Sequence, residues 1–384
     1  MKMFLVSSRS LLSAVWQDPI YELENLIAHL CDATIVAPRS REIARVAARL
    51  DGRPGFLARS LVRYSIGKYR PEQLARKTSA EFGFSVAMSA WDLQVFEAVR
   101  GYRERFDVLA GYVFDAWGSY PAFLREFDAL FISLPEEVQR WEQRLGVRPS
   151  VLPFAADALG HSAHEQERSV DLLSYGRLPR EYLAHFLERF GRPDSRHLFV
   201  RIEGRLPDDH PARPLAERAD LHYYASLRRL LKRSKASLCF DTLSPGPRQF
   251  PHSVVTLRWY EAFAAGCVAV GSRPVTPEAE RRLCWPEAHL DLPATPGLAA
   301  DFLADLFEDP ERLNRIRLRN TYYALTLHDW RHRLRDVFTT LGLAIPAGLR
   351  SELERLAERA ELARVQAVHA GALDDRAPRA AHAG

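Results

Sequence analysis

Apolar residues along this chain fall into two rhythms, short β-rich runs and stripes at helical spacing, which alternate over most of its length. Residues 3–7 (MFLVS) form a first strand-like run. Ile20, Leu23, Leu26, Ile27 and Leu30 then share one face of a helix predicted over 19–30. Further strands are predicted at 33–37, 84–90, 106–113, 129–133 and 151–154, with helices at 92–102, 120–125 and 135–145. Residues 40–77 read as mostly helical and basic, interrupted near 52–55 by Gly52, Pro54 and Gly55. Strands separated by helices favour a parallel sheet with crossover helices. After a polar stretch at 161–169 the rhythm resumes, with strands at 170–175, 197–202, 237–241 and 267–271. One amphipathic helix is predicted over 326–343 and another over 351–369, and residues 370–384 carry too little apolar surface to predict order.

The chain has 384 residues, enough for two domains, and 47% of them are hydrophobic. No apolar run approaches the roughly 18 residues of a membrane span. The opening MKMFLVSSRS reads as a first strand, not a signal peptide. Cys31, Cys239, Cys267 and Cys284 are scattered without a C-x-x-C pair, so reduced thiols and a cytoplasmic protein are expected. The net charge of +4 conceals an excess of +8 over residues 39–77, leaving −4 for the rest. Such a basic stretch offers a counter-charge to an anionic membrane face, an acidic acceptor or a nucleic acid; its alternative is a solvated helical face.

Residues 237–272 carry the densest chemistry. They read as strand, a loop broken by Pro245, Gly246, Pro247 and Pro251, a helix over about 255–265, and a buried strand. Gly266 is a natural stop for the helix. Its first N–H groups face the carboxyl ends of the strands, which makes an anion site. Arg258 and Glu261 lie three residues apart on one face, an Arg for phosphate beside a Glu for vicinal hydroxyls. Ser253 and Thr256 offer hydroxyls just before the helix, and Arg248 and His252 could add positive charge or hydrogen bonds. Gly176 and Arg177 follow the first strand of the second half, where Gly lets backbone approach a phosphate and Arg can grip two oxygens.

RWYEAFAAGCVAVGS, residues 258–272, resembles the R-x-[FY]-E-A-x-A-x-G signature of group-1 glycosyltransferases, nearest the spore-maturation glycosyltransferase-like branch. VLPFAADALG, residues 151–160, is similar to that family's hinge-proximal segment. The resemblance implies an α/β chain of GT-B fold, with two Rossmann-like domains facing across a cleft and a C-terminal helix crossing back. The implied division is an acceptor domain at 1–160, a nucleotide-sugar domain at 161–325, a closing helix at 326–345 and a helical, then disordered tail at 346–384. It implies a hexosyltransferase-like, retaining transfer from a nucleoside-diphosphate sugar without metal or other cofactor. It assigns Glu261 to the donor ribose and Gly176 and Arg177 to the diphosphate. Relatives carry a second Glu where this chain has Ser253, and a Lys where it has Tyr182; Arg180 could stand in for that Lys.

The acceptor, a glycan, a lipid-linked molecule or a small molecule, is expected on the first half. Candidates there are Ser7, Ser8 and Arg9 after the first strand, Asp115 with Trp117 and Tyr120 after the strand at 106–113, and Asp92 beside Trp91. Asp115 is the candidate catalytic carboxylate. Two alternatives stay open: a catalytically silent GT-B scaffold binding a nucleotide, glycan or protein, and a nucleic-acid-directed glycosyltransferase.

Other motifs are read as structural. His328 and His332, spaced i, i+4, read as a surface pair, and His161 and His164 as surface residues of a polar linker. Asp208 and Asp209 read as a solvated turn. RRLLKRSK, residues 228–235, reads as a peripheral basic helix that buries Leu227, Leu230 and Leu231. The chain has no G-x-x-x-x-G-K-[ST] or G-x-S-x-G motif, and no G-x-G-x-x-G after a strand.

Overall fold

The computed structural model describes residues 1–9, 17–39, 72–162, 167–202, 220–244 and 250–374. Outside them lie Arg248, His164, Asp208 and Asp209, most of the basic segment expected at 40–77, and the tail from 375. The chain divides into two compact units, Met1–Pro153 with Asp336–Leu349, and Phe154–Arg335 with Arg350–Gly384.

Among the described residues the first unit holds six strands: β1 (Lys2–Val6), β2 (Thr34–Val36), β3 (Glu81–Ser89), β4 (Val108–Asp115), β5 (Ala129–Ile132) and β6 (Ser150–Val151). They pair in parallel in the order β2-β1-β3-β4-β5-β6, with Phe84 opposite Ala110 and Ala110 opposite Ala129. Helix α1 (Asp18–Cys31) buries Ile20, Leu23, Ile27 and Leu30, the face its spacing predicts. Residues 92–102 are not the expected helix. A 3₁₀ segment, Ala90–Ala98, starts from a capping box between Ser89 and Asp92. Gly101 then takes a left-handed conformation (φ 63°) that separates it from the short α2 (Tyr102–Arg105). Residues 72–77 form no helix, and Glu72 makes an isolated parallel bridge to Val99. The 120–125 segment is a 3₁₀ turn, Ala122–Glu126, and α3 (Val138–Leu145) follows another, Pro135–Glu137.

The second unit holds β7 (Val170–Tyr175), β8 (Phe199–Ile202), β9 (Ser234–Phe240), β10 (Val268–Ser272) and β11 (Leu290–Asp291). All pairings are again parallel, in the order β11-β10-β9-β7-β8. The helices are α4 (Ala158–His161), α5 (Arg180–Phe190), α6 (Asp220–Lys232), α7 (Leu257–Ala264), α8 (Pro277–Arg282), α9 (Pro296–Phe307) and α10 (Pro310–Leu327). Leu172, Leu238, Phe240, Val268 and Val270 of the sheet pack with Phe186, Phe190, Leu303 and Ile316 of the helices. Counted from its own first strand, each sheet opens second, first, third, fourth, fifth. The two halves therefore share a winding, and each reverses direction between its first and third strands, β1/β3 and β7/β9.

The helix expected over 326–343 is two helices. α10 ends at Leu327 and α11 spans Trp330–Thr340, passing from the second unit into the first. Asp329 makes the break. Fully buried, it accepts the backbone N–H groups of Arg331 (2.8 Å) and Leu159 (3.0 Å). It also pairs with the Arg331 guanidinium at 3.0 Å, and Arg331 reaches Asp157 (2.7 Å) and Glu352 (3.0 Å). No Pro or Gly marks this break, so periodicity runs through it. Glu352 belongs to α12 (Ala347–His369). Beyond it, residues 370–374 are ordered by packing of Ala372 against Leu318 and Ala367, contrary to expectation.

His328, read as exposed, is buried; its ring lies 4.9 Å from that of Tyr260, and its Nε2 donates to the Arg282 carbonyl at 2.9 Å. Burial, with the charges of Arg333 and Arg282, holds its pKa well below the ordinary value. His289 is held neutral by burial too: its Nδ1 accepts from the Trp259 indole (3.3 Å) while Nε2 faces Asp291 (3.5 Å). Among the described residues, no helix is long and apolar enough to cross a membrane.

Two outcomes follow for stability. Asp329→Ala leaves a buried guanidinium without its innermost partner, and urea unfolding at pH 7 should show a loss of roughly 3–5 kcal/mol, where less than about 1 would contradict this packing. The unfolded chain takes up protons on these histidines near pH 6.5 while the folded chain resists, so stability is full above that pH and falls on acidification. The urea midpoint should drop between pH 6.5 and 5, and His328→Gln should flatten part of that slope; an unchanged slope would contradict it.

Candidate functional site at the reversal point of the second sheet

In open parallel sheets, the strand ends at a reversal of winding leave a crevice between oppositely directed connections. In the second unit this point lies between β7 and β9, and the predicted residues gather there. β7 ends at Tyr175, followed by Gly176, and β9 ends at Phe240, followed by Asp241. α7 starts beside them, with Thr256 at its N-cap position making no side-chain cap.

Glu261 sits on the second turn of α7 and is 6% exposed. The Tyr175 hydroxyl donates to its Oε2 at 2.9 Å. The same hydroxyl lies 3.4 Å from the Arg258 carbonyl, so one side chain ties the end of β7 to the first turn of α7. Gly176 has φ +85°, which favours glycine, and a Cβ there would come within 2.5 Å of Arg258 Nη1. The absent side chain is what lets the guanidinium lie against the end of β7. Arg258 Nη2 reaches the Phe240 carbonyl at 3.4 Å. Its Nε and the Thr256 hydroxyl oxygen are buried with no hydrogen-bond partner among the described residues.

Arg177 donates to the Ser244 carbonyl at 3.0 Å and lies over the Phe250 ring, 4.9 Å from its centroid. Partial burial and the neighbouring Arg258 charge lower its pKa, and Asp241 offsets them in part. Two guanidiniums thus stand near each other beside an uncapped helix N-terminus, an electrostatic arrangement that favours an anion.

Asp241, which the sequence reading passed over, organises the approach to α7. Its Oδ2 accepts from the Ser253 hydroxyl at 2.7 Å and its Oδ1 from the Val254 N–H at 3.3 Å. The Thr242 hydroxyl donates to the His252 carbonyl at 2.5 Å and lies 3.1 Å from the Val254 N–H, which donates to it. Ser253 and His252 are therefore brought to the site, with Ser253 bonded to Asp241. Arg180 stands exposed on the first turn of α5, and Tyr182 donates to the Pro293 carbonyl at 2.8 Å. Tyr175 carried one sequence signal, its place just before Gly176; Asp241 carried its place at a strand end.

The candidates of the first unit lie at the ends of its own strands. Asp115 is half-buried at the end of β4, opposite Ser89 of β3, with Trp117 half-buried nearby. Tyr120 donates to Glu137 Oε2 at 2.6 Å. Ser7 and Arg9 are both bonded to Glu24 of α1, at 2.6 and 2.7 Å, and Ser8 is buried. Asp92 accepts the N–H and hydroxyl of Ser89, both at 3.0 Å, which is a capping role. Among the described residues there is no group of three or more His, Cys, Asp or Glu that could hold a metal ion.

Comparison with known proteins gives matches of two kinds. Residues 180–339, which include α7 and Glu261, match the family model described as glycosyl transferase-like. No curated protein matches the chain. Among solved structures, Anabaena Alr3699/HepE, crystallised in complex with UDP, aligns over 89% of this chain and 100% of its own at 10% identity, with a TM-score of 0.50. The calicheamicin glycosyltransferase CalG4 aligns over 90% of this chain and 99% of its own at 13% identity, with a TM-score of 0.35. The sequence match falls on the unit that carries Glu261, and the HepE alignment, which extends over both units, shows that this chain shares the GT-B fold of that structure.

Proposed function

We propose that this enzyme transfers a sugar from a nucleoside-diphosphate donor bound at the carboxyl ends of β7 and β9. The observation that carries the reading is the buried Glu261 carboxylate, oriented by Tyr175, on the same helix as Arg258, whose guanidinium lies against Gly176 at the end of β7. In this reading Glu261 accepts hydrogen bonds from the vicinal hydroxyls of the donor ribose. Arg258, Arg177, the Gly176 backbone and the first N–H groups of α7 meet the diphosphate.

Glycosyl transfer builds negative charge on the departing diphosphate, and fixed donors aimed at it lower the barrier. Two guanidiniums and a helix N-terminus supply such donors, and we propose that they act without a metal ion. The presence of UDP in the HepE crystals is consistent with a nucleotide donor. For the acceptor half, Asp115 is the carboxylate proposed to take the proton of the incoming hydroxyl, whose oxygen bonds to the anomeric carbon on the face from which the diphosphate departs, so that configuration is retained.

A thermal-shift screen with UDP, GDP, ADP and dTDP tests the donor site. At a hundredfold excess over Kd, a ligand that binds only the folded chain adds about 2.7 kcal/mol to its stability. At least one nucleotide should raise the melting temperature, and Glu261→Ala and Arg258→Met should each lose most of that rise. A shift unchanged in Glu261→Ala would remove Glu261 from the site. Release of sugar from the matching sugar nucleotide should continue in EDTA; its loss there would contradict metal-independent transfer, and no release under any condition would favour a silent scaffold.

A further inference from the structure

Glu261 has a charged neighbour that the donor-site reading does not use. Arg228, on α6, interacts electrostatically with the Glu261 carboxylate. It is held from its other side: its Nη1 lies 2.8 Å from Nε2 of His161, the last residue of α4. His161, expected in an exposed linker, is 7% exposed. One turn beyond Arg228, Lys232 reaches the Gly160 carbonyl at 3.5 Å, so α6 is pinned to α4 twice. α4 also packs on α7, the helix that carries Glu261. The stretch 228–235, read as a peripheral basic helix, thus brings one arginine within electrostatic reach of Glu261.

The Arg228–His161 contact has only one protonation state. A guanidinium has donors and no acceptor, so Nε2 of His161 must accept, and the ring carries its single proton on Nδ1. A protonated imidazole would set N–H against N–H and cation against cation. The groups facing His161 pull both ways. Asp157 and Asp329 favour the cation, whereas Lys232 and Arg331 oppose it, as does Arg228 across the hydrogen bond. Burial is the largest influence and lowers the His161 pKa.

We infer that Arg228 is a positioning residue for Glu261 and that neutral His161 latches it in place, making donor binding sensitive to protonation of His161. The inference rests on the donor-site reading. Arg228 supplies the counter-charge that steadies the buried carboxylate where it can accept from ribose hydroxyls. A proton on His161 expels the guanidinium, and the carboxylate loses that support.

The test is calorimetric titration of the full chain between pH 8.0 and 5.5, with whichever of UDP, GDP, ADP and dTDP binds most tightly. Wild type should bind evenly above about pH 7 and weaken on acidification by roughly tenfold more than His161→Gln, the scale of one charged hydrogen-bond partner. Gln still offers an acceptor oxygen to Arg228 and does not titrate. His161→Leu, which offers none, should bind roughly tenfold more weakly at every pH, with Gln recovering most of that loss. Arg228→Met should match the weakened variant and show no His161-dependent slope. Melting curves at each pH confirm that every variant is folded; if Arg228→Met is not, the three side chains at 161 decide. A His161→Gln profile parallel to wild type, or His161→Leu binding like wild type, overturns the latch while leaving the donor site standing. Failure of wild type to bind any of the four nucleotides overturns the donor-site reading and the latch with it.

Discussion

The second unit is organised around a carboxylate kept almost entirely out of water. Removing a carboxylate from solvent costs several kcal/mol unless hydrogen bonds or opposite charge compensate. Glu261 has both, a hydroxyl from Tyr175 at the end of β7 and the field of Arg228 on α6. These supports come from elements far apart in sequence, so the carboxylate is stable only where α6, α7 and β7 meet. A buried, oriented carboxylate is also a selective acceptor. A ligand that brings hydroxyls to it completes hydrogen bonds that water cannot easily reach.

Chain winding provides that meeting place. β7 and β9 are neighbours although β8 lies between them in sequence, and their ends flank the start of α7. The glycine after β7 admits Arg258, and Asp241 after β9 sets the path from Ser253 to Val254. A second polar cluster, Asp157, Asp329, Arg331 and Glu352, joins the segment before α4 to the starts of α11 and α12. It lies where the chain passes between units, and the α4 it supports carries His161. Both clusters depend on buried charges whose compensating partners are costly to remove singly, which favours one arrangement of the helices.

Much of the fold was legible because it is written locally. Alternating strand and helix patterns give parallel sheets, and Arg258 and Glu261 share a helix face whatever surrounds them. Gly176 and Gly266 mark positions that only the backbone demands. Strand order was not legible, and with it went Tyr175 and Asp241, whose roles exist only once β7 and β9 are adjacent. His161 and Arg228 are separated by 67 positions, and each alone looks like a solvated polar residue. The break at Asp329 escaped because a buried carboxylate, not a Pro or Gly, ends the helical run. The 3₁₀ segments escaped because their apolar spacing over one or two turns is indistinguishable from that of an α-helix.

The central claim, that Glu261 grips ribose hydroxyls, can be isolated from every other contact the nucleotide makes. Affinities of wild type and Glu261→Ala for the best-bound ribonucleoside diphosphate and its 2′,3′-dideoxy analogue form a closed cycle. Wild type should prefer the ribonucleotide by roughly ten- to a hundredfold, the range for hydrogen bonds to a charged acceptor, and the variant should show almost no preference. Equal discrimination by both proteins would place the hydroxyls elsewhere and contradict the account.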